Sequence, residues 1–180
     1  ALITNDYFFG EDDANADGVL LITEGIADAI AAQQAGFRCL SPVTTTFRAQ
    51  DHEKLVRLTA KAKRVVIVND SEDSGAGERG AFETARVLHA AGRDVRIATI
   101  PRPEGVAKID VNDVVRAQGA DGLRAVVDAA KSLPFFLVDR IPKDIERRSL
   151  VDALRPVVDA MQRQSPIEQS ELKAVIGARV

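Results

Sequence analysis

Acidic side chains follow three separate apolar stretches of the sequence, each of strand length. One acid comes directly after 19–22 and another about one helical turn later, three follow 65–68, and two follow 95–100 beyond a proline-bounded loop. In chain order they are Glu24, Asp28, Asp70, Glu72, Asp73, Asp110 and Asp113. Carboxylates packed together repel one another, and their pKa values rise unless a cation is bound. Oxygen ligands of this kind suit Mg²⁺, and two such ions can stabilise the attacking and leaving oxygens of a phosphoryl transfer.

Each acid also has a purely structural explanation. Asp, Ser and Gly are ordinary turn residues after a strand, and Asp28 fits an exposed position on a helix. Asp110 fits a helix N-cap, with Asp113 in the first turn of that helix. Any one of these acids is more often structural than catalytic, whereas three acidic clusters after alternate elements favour a shared site. The residue pattern leaves the metal site and the structural explanation both open.

Apolar runs alternate with helical periodicity along most of the chain. Strands are predicted at 19–22, 37–40, 65–68 and 95–100, and helices at 25–36, 50–62, 78–91 and 111–131, with a break near Gly119. Unbroken apolar runs indicate strands that are buried on both faces, and their alternation with helices predicts a parallel sheet of about four strands with helices on both faces. Ligands of such sheets bind beyond the carboxyl ends of the strands, which is where the acids fall.

The pattern changes at the two ends of the chain. Residues 1–18 are polar and acidic, so we expect a solvated linker or the end of a preceding domain. The α/β domain is predicted to cover 19–133. Residues 134–180 carry helical patterns at 140–163 and 167–177 with no strand between them, so we expect a helical C-terminal segment.

The composition is that of a globular protein, with 46% hydrophobic and 28% charged residues in a chain of 180. The single cysteine excludes an internal disulfide and fits a reducing compartment, so we expect a cytoplasmic location. No apolar run is long enough to span a membrane, and no basic leader precedes the first strand. The chain starts without methionine, which indicates a piece of a longer protein or a processed start. The net charge of -3 argues against passive binding to nucleic acid, unless bound cations meet the phosphates.

The acids occur in motifs that resemble those of the Toprim domain, a fold shared by bacterial-type DNA primases, topoisomerases and some nucleases. Glu24-Gly25-Ile26-Ala27-Asp28 resembles the Glu-Gly-x-x-Asp of the primase branch, and Asp70-Ser71-Glu72 stands where the family has Asp-x-Asp. Gly75-Ala76-Gly77 resembles the glycine-alanine segment that opens the next helix, and 108–113 resembles the Lys-Asp-x-Asn-Asp of primase-like proteins. The resemblance covers roughly 19–119 and implies a compact Toprim-like sheet.

The resemblance implies the Toprim catalytic part of a primase or primase-helicase, a Mg²⁺-dependent nucleotidyltransferase of the DNA primase type, with Mn²⁺ as an alternative metal. Whether this piece is active alone or only within a longer protein stays open. Glu24 would be the acid–base group or a metal ligand near the reacting oxygen, and Asp70 and Glu72 would hold the metal. The acids that would supplement this cluster are Asp28, Asp110 and Asp113. Because Glu72 replaces the usual second Asp, Asp73 is an alternative ligand. The implied partners are single-stranded DNA template and nucleoside triphosphates, together with a helicase or other lobes of a longer polypeptide.

Three basic residues are candidates for contact with phosphate or nucleic acid. Arg79 follows the acidic loop, Lys108 opens the last acidic motif, and Arg48 begins a basic stretch that could track a phosphate backbone. A solvated helix face is the alternative explanation of that basic stretch.

Other functions stay open from the sequence. A Toprim nuclease fits the same acids, and a non-catalytic module that binds metal or nucleic acid fits the change to Glu72. A self-contained topoisomerase is disfavoured because the only tyrosine, Tyr7, lies outside the α/β domain. A phosphoacceptor receiver domain is disfavoured because it needs paired acids directly after the first strand, where this chain has Glu24-Gly25.

Overall fold

The computed structural model describes residues 6–43, 46–73 and 75–178, and the chain divides into two units, Ala1–Ala130 and Lys131–Val180. The strands of the first unit are β1 (Val19–Thr23), β2 (Arg38–Leu40), β3 (Arg64–Asn69), β4 (Ser71–Glu72), β5 (Val95–Thr99) and β6 (Lys108–Ile109). Its helices are α1 (Glu11–Ala14), α2 (Ile26–Gln34), α3 (His52–Leu58), α4 (Ala76–Ala90) and α5 (Val111–Asp128). The long strands form a parallel sheet in the order β2-β1-β3-β5, and β4 and β6 form a short antiparallel ribbon.

The strands form where the apolar runs predict them, because their side chains are buried on both faces. In β3, Val65, Val66, Ile67 and Val68 are all fully buried. Branched side chains of this kind pack well on a pleated sheet surface. The prediction of an α/β fold with a parallel sheet of about four strands is therefore confirmed.

Helices cover both faces of the sheet. Helices α2 and α5 pack against each other over a core that includes Leu21, Val66 and Ala98. Successive strand residues point to opposite faces, so Leu20 and Ile67 face the other side, where α4 packs on β3 and β5 and α3 packs on α4. No helix in the described ranges is long and apolar enough to cross a membrane.

The second unit is helical apart from a two-residue strand. Its elements are β7 (Lys131–Ser132), α6 (Leu133–Asp139), α7 (Arg147–Met161) and α8 (Pro166–Gly177). Its apolar core is formed by Val138, Ile141, Leu150, Val157 and Leu172. The expectation of helices in the C-terminal segment is confirmed.

Several predicted boundaries were wrong. The helix expected at 140–163 begins only at Arg147. A separate helix, Leu133–Asp139, precedes it and has Pro134 in its first turn, a position that proline favours. The helix expected at 50–62 ends at Leu58, where the hydroxyl of Thr59 donates to the carbonyl of Leu55. The break predicted near Gly119 is present, and this residue has a φ of 68° inside α5.

Two segments expected to be loops contain regular structure. In the N-terminal stretch, Phe8 and Ala14 are buried and Glu11–Ala14 forms a helical turn. In the acidic loop between the predicted strand at 65–68 and the predicted helix at 78–91, Ser71 and Glu72 pair with Ile109 and Lys108. Two-residue strands have no hydrophobic period, so the sequence gives no signal for this ribbon.

Helix α4 passes very close to the end of β3. A Cβ atom added at Gly77 would lie 2.5 Å from the backbone oxygen of Asp70 and 3.3 Å from Oε2 of Glu24. Because backbone atoms cannot yield as a flexible side chain can, only glycine allows the helix to approach the acidic edge this closely.

We expect Gly77→Ala to destabilise the chain by about 1–3 kcal/mol, since the added methyl group must push α4 away from Asp70. The matched control is Gly177→Ala in α8, where a Cβ atom would meet nothing within 4 Å. Alanine is the better helix former, so the control should be neutral or slightly stabilising. Thermal unfolding followed by circular dichroism measures both changes, and equal stability of the two variants would contradict the close approach.

Candidate metal centre

The register of the sheet brings the acidic segments to one edge. Thr23 lies opposite Val68, and Asn69 lies opposite Thr99. The chain therefore leaves β1 and β3 at neighbouring points, and Glu24 and Asp70 follow immediately. Helix α4 is fixed to the same edge because the side-chain amide of Asn69 donates to the carbonyl of Gly77 at 2.9 Å.

Three aspartates form the centre of this edge. Carboxylate oxygens of Asp28, Asp70 and Asp110 all lie within 4.8 Å of one another. Asp28 and Asp70 are buried, whereas Asp110 is half-buried. They come from three different elements, since Asp28 lies in α2, Asp70 follows β3, and Asp110 is the N-cap of α5. Oxygen atoms arranged in this way can hold a divalent cation.

Asp28 is held in place by backbone groups despite the cost of its burial. Its Oδ1 accepts a hydrogen bond from the backbone N–H of Asn112 at 3.1 Å. The pKa of Asp28 is raised to about 6, chiefly by burial and also by the charges of Asp110 and Asp70, although the backbone hydrogen bonds from Asn112 and Gly25 lower it in part. Burial and the neighbouring negative charges therefore destabilise the ionised form of Asp28 in the absence of a cation.

Glu24 has an oxygen atom that is buried without compensation. Its Oε2 has no hydrogen-bond partner among the residues that the structure describes. Burial raises the pKa of Glu24, and so do the charges of Asp70, Glu72 and Asp28, whereas Lys108 lowers it. A buried carboxylate oxygen without a partner is costly, and a cation or a proton would satisfy it.

A cation of the protein itself already contacts the cluster. Nζ of Lys108 lies 2.6 Å from Oδ2 of Asp70, and the carboxylate side of this pair is 9% exposed. The ammonium group also interacts with the charges of Glu24 and Glu72. The sequence marked Lys108 as a phosphate-binding candidate, and the structure places it against the acids.

The remaining predicted acids lie around the three aspartates. Glu72 is half-buried in β4, opposite Lys108 in the ribbon, and its charge reaches Glu24. Asp73 points elsewhere, because its side chain is 77% exposed and pairs with Arg102 at 2.6 Å. Asp113 forms the capping box of α5 with Asp110, exchanging hydrogen bonds at 2.8 and 3.3 Å.

The other predicted basic residues lie outside the cluster. Arg48 is the N-cap residue of the 3₁₀ turn before α3, where its backbone N–H donates to Oδ2 of Asp51 at 3.0 Å and its Nε pairs with the same oxygen at 2.7 Å. Arg79 lies in α4 and lines a surface pocket of about 410 Å³. The other residues lining this pocket are Thr46, Phe47, Ala49, His52, Gly80, Glu83 and Thr84.

Two residues of the site could not be singled out from the sequence. The side-chain amide of Asn69 donates to the carbonyl of Gly77 and holds the start of α4 in place. The backbone N–H of Asn112 donates to Asp28 and holds its carboxylate in place. Asparagine is common in turns and at helix starts, so neither residue type carries a specific signal. The sequence feature that could have pointed to them is their position next to the candidate acids Asp70 and Asp113.

The donor set fits a divalent metal ion. The three clustered aspartates, the unsatisfied oxygen of Glu24 and the raised pKa values of Asp28 and Glu24 are all features that a hard cation would compensate.

Comparisons with known proteins agree with this geometry. A family model described as Toprim domain matches residues 19–121. The structure of the DnaG primase catalytic domain bound to ssDNA is similar at a TM-score of 0.68 and 17% identity, covering 97% of this chain and 57% of that chain. The Escherichia coli primase catalytic core is similar at a TM-score of 0.68 and 18% identity, with 97% and 56% covered. No curated protein matches.

A third similar structure matches nearly the whole of this chain. The RNA polymerase domain of Mycobacterium tuberculosis primase DnaG gives a TM-score of 0.67 at 20% identity, covering 99% of this chain and 58% of that chain. The chain thus spans a little over half the length of each of these three structures, and its fold is the one they share.

We expect Asp28→Asn to stabilise the chain at neutral pH in EDTA by about 1–3 kcal/mol, since it removes a buried charge but keeps an oxygen for Asn112. The folded-state pKa of Asp28 lies above its ordinary value, so the native state binds more protons between pH 3.8 and about 6. The stability of the parent relative to the variant should therefore fall as pH rises through this window and stay constant above it.

Chemical denaturation at several pH values measures this difference. Asp121→Asn, which alters an exposed acid on α5, is the control and should show no such trend. A stability difference between the parent and Asp28→Asn that does not change with pH would contradict the proposed burial of charge.

Proposed function

Because this chain belongs to the Toprim domain family, we propose that it is the Toprim catalytic part of a DNA primase-type nucleotidyltransferase. In this proposal it joins nucleoside triphosphates on a single-stranded DNA template with the help of Mg²⁺, or alternatively Mn²⁺. The cytoplasmic location predicted from the single cysteine is part of the same proposal, because the enzyme must share a compartment with its DNA template and its nucleotides.

The observation that carries the proposal is the convergence of Asp28, Asp70 and Asp110 within 4.8 Å, beside the unsatisfied Oε2 of Glu24. These residues would hold the metal, with Glu72 next to them. When bound, the ion would neutralise the triphosphate and the developing pyrophosphate. Asp73 is less suited to this role because it pairs with Arg102.

Glu24 is the best candidate for a proton acceptor. Its pKa is raised, first by burial and then by Asp70, so its carboxylate is a stronger base than an exposed one. Its position beyond the end of β1 would let it accept a proton from an attacking 3′-hydroxyl group. In this proposal Lys108 contacts phosphate oxygens at the acidic edge, and Arg79 contacts them from the wall of its surface pocket.

Similarity to primase structures supports nucleic acid as the partner. One of them is described as bound to ssDNA, and another, from Mycobacterium tuberculosis, as a complex with a double-stranded DNA oligomer with a 6-nucleotide overhang. Because the chain spans a little over half of those structures, other lobes or a helicase would contribute to template binding in the proposed enzyme.

We expect the chain to bind Mg²⁺ and Mn²⁺ in calorimetric titrations, and Asp70→Asn to weaken this binding at least about tenfold, because it removes a central ligand charge. The control is Asp94→Asn. Asp94 precedes β5 at the opposite edge of the sheet and pairs with Arg64 at 2.9 Å. Equal losses in both variants would show a general effect of charge and would remove the basis for this site.

The activity is tested with labelled nucleoside triphosphates, Mn²⁺ or Mg²⁺ and a single-stranded template. We expect short labelled oligonucleotides from the parent and at least about a hundredfold less from Glu24→Gln, which keeps the shape of the side chain but cannot accept a proton. Shortening of the template without incorporation of label would instead identify a nuclease. Metal binding without either product would mean that this chain is inactive alone, either because it is a non-catalytic module or because the reaction needs other lobes of a longer polypeptide.

A further inference from the structure

The ion pair between Lys108 and Asp70 joins two groups of very different freedom. The side chain of Asp70 is 9% exposed, whereas that of Lys108 is 54% exposed. Asp70 is fixed between β3 and β4, and Gly77 of α4 packs against its backbone. If the pair opens, the lysine must therefore be the partner that moves.

The ribbon sets the place of this lysine. Lys108 lies opposite Glu72, and Ser71 lies opposite Ile109, which packs against the core. The backbone of Lys108 is thus held beside the acids while its long side chain extends across to Asp70. A lysine side chain has four rotatable carbons and a compact charge, so its ammonium group can leave without any change in the backbone.

The ammonium group occupies a position where a metal ion would also be attracted. It contacts Asp70, one of the three clustered aspartates, and its charge acts on Glu24 and Glu72 as well. The ammonium group of Lys108 carries a full positive charge at neutral pH, as lysine ordinarily does. Two cations held against the same carboxylate repel each other.

We propose that Lys108 is a built-in counter-ion that neutralises Asp70 in the metal-free protein and is displaced when a divalent metal ion binds. This inference rests on the metal site of the proposed function and adds a role for one of its residues. The displaced ammonium group stays tethered at the same edge, where it faces incoming phosphate. Metal binding and exposure of a phosphate-binding cation are thereby coupled through one side chain.

The first test is the affinity for Mg²⁺ and Mn²⁺ of Lys108→Met, measured by calorimetry at physiological ionic strength. We expect binding about five- to fiftyfold tighter than in the parent, because the metal no longer competes with a cation held against a buried carboxylate. The control is Lys63→Met, which removes the same charge from an exposed pair with Asp17 at 3.5 Å, at the amino-terminal end of β3. Its affinity should change less than about twofold, since salt screens exposed charges at this range.

The second test uses the unaltered chain and does not depend on the folding of a variant. Lysine acylation by an activated ester is followed residue by residue by mass spectrometry, with and without Mg²⁺. We expect Lys108 to react several times faster when Mg²⁺ is bound, while the rate at Lys63 stays the same.

The outcomes separate this inference from the function on which it rests. Tighter metal binding by Lys108→Met together with faster acylation of Lys108 in the parent would support displacement. Metal binding by the parent with unchanged acylation, or with equal or weaker affinity in Lys108→Met, would overturn the counter-ion role and leave the metal site standing. Absence of metal binding in both proteins at millimolar concentrations would overturn the metal site and the inference together.

Discussion

The register of three parallel strands is the constraint on which the acidic edge depends. Because β1, β3 and β5 are buried on both faces, a slip of one residue would exchange the two faces of a strand and disturb both helical layers. The hydrophobic core therefore fixes the points at which the chain leaves the sheet. Glu24 and Asp70 are placed by this packing and not by any attraction between them, since their charges repel.

Gathering these acids costs free energy, because the carboxylates repel one another and are partly buried. The surrounding structure offsets only part of this cost. Asp28 receives a backbone N–H from Asn112, Asp110 caps α5, and Asp70 has the ammonium group of Lys108. Oε2 of Glu24 has no such partner in the part of the chain that the structure describes. Stability lost in this way at one edge of a well-packed core is typical of sites that bind a ligand.

The sequence predicted those features that depend on long apolar runs and on the ends of strands. It placed the sheet, the helices on both faces and the acidic segments, because a short run of β-branched residues such as 65–68 favours a strand that is buried on both faces. It could not predict the ribbon of β4 and β6 or the pairing of Asp73 with Arg102, because these depend on contacts between loops far apart in sequence. Helix α6 was missed for a different reason, since a proline such as Pro134 can begin a helix as well as interrupt one.

Asp110 shows why the structural and the functional explanations of these acids could not be separated by sequence. A carboxylate has two oxygen atoms, and Oδ1 of Asp110 accepts the backbone N–H of Asp113 while the group lies within 4.8 Å of Asp28 and Asp70. The hydrogen bond that caps the helix also fixes the rotamer of the side chain, so it orients the carboxylate toward the cluster. Asp113, in the same motif, reaches back to the N–H of Asp110 instead. One orientation of the Asp110 carboxylate thus satisfies the helix cap and also places the group beside Asp28 and Asp70, where it could hold a cation, whereas the carboxylate of Asp113 serves the cap.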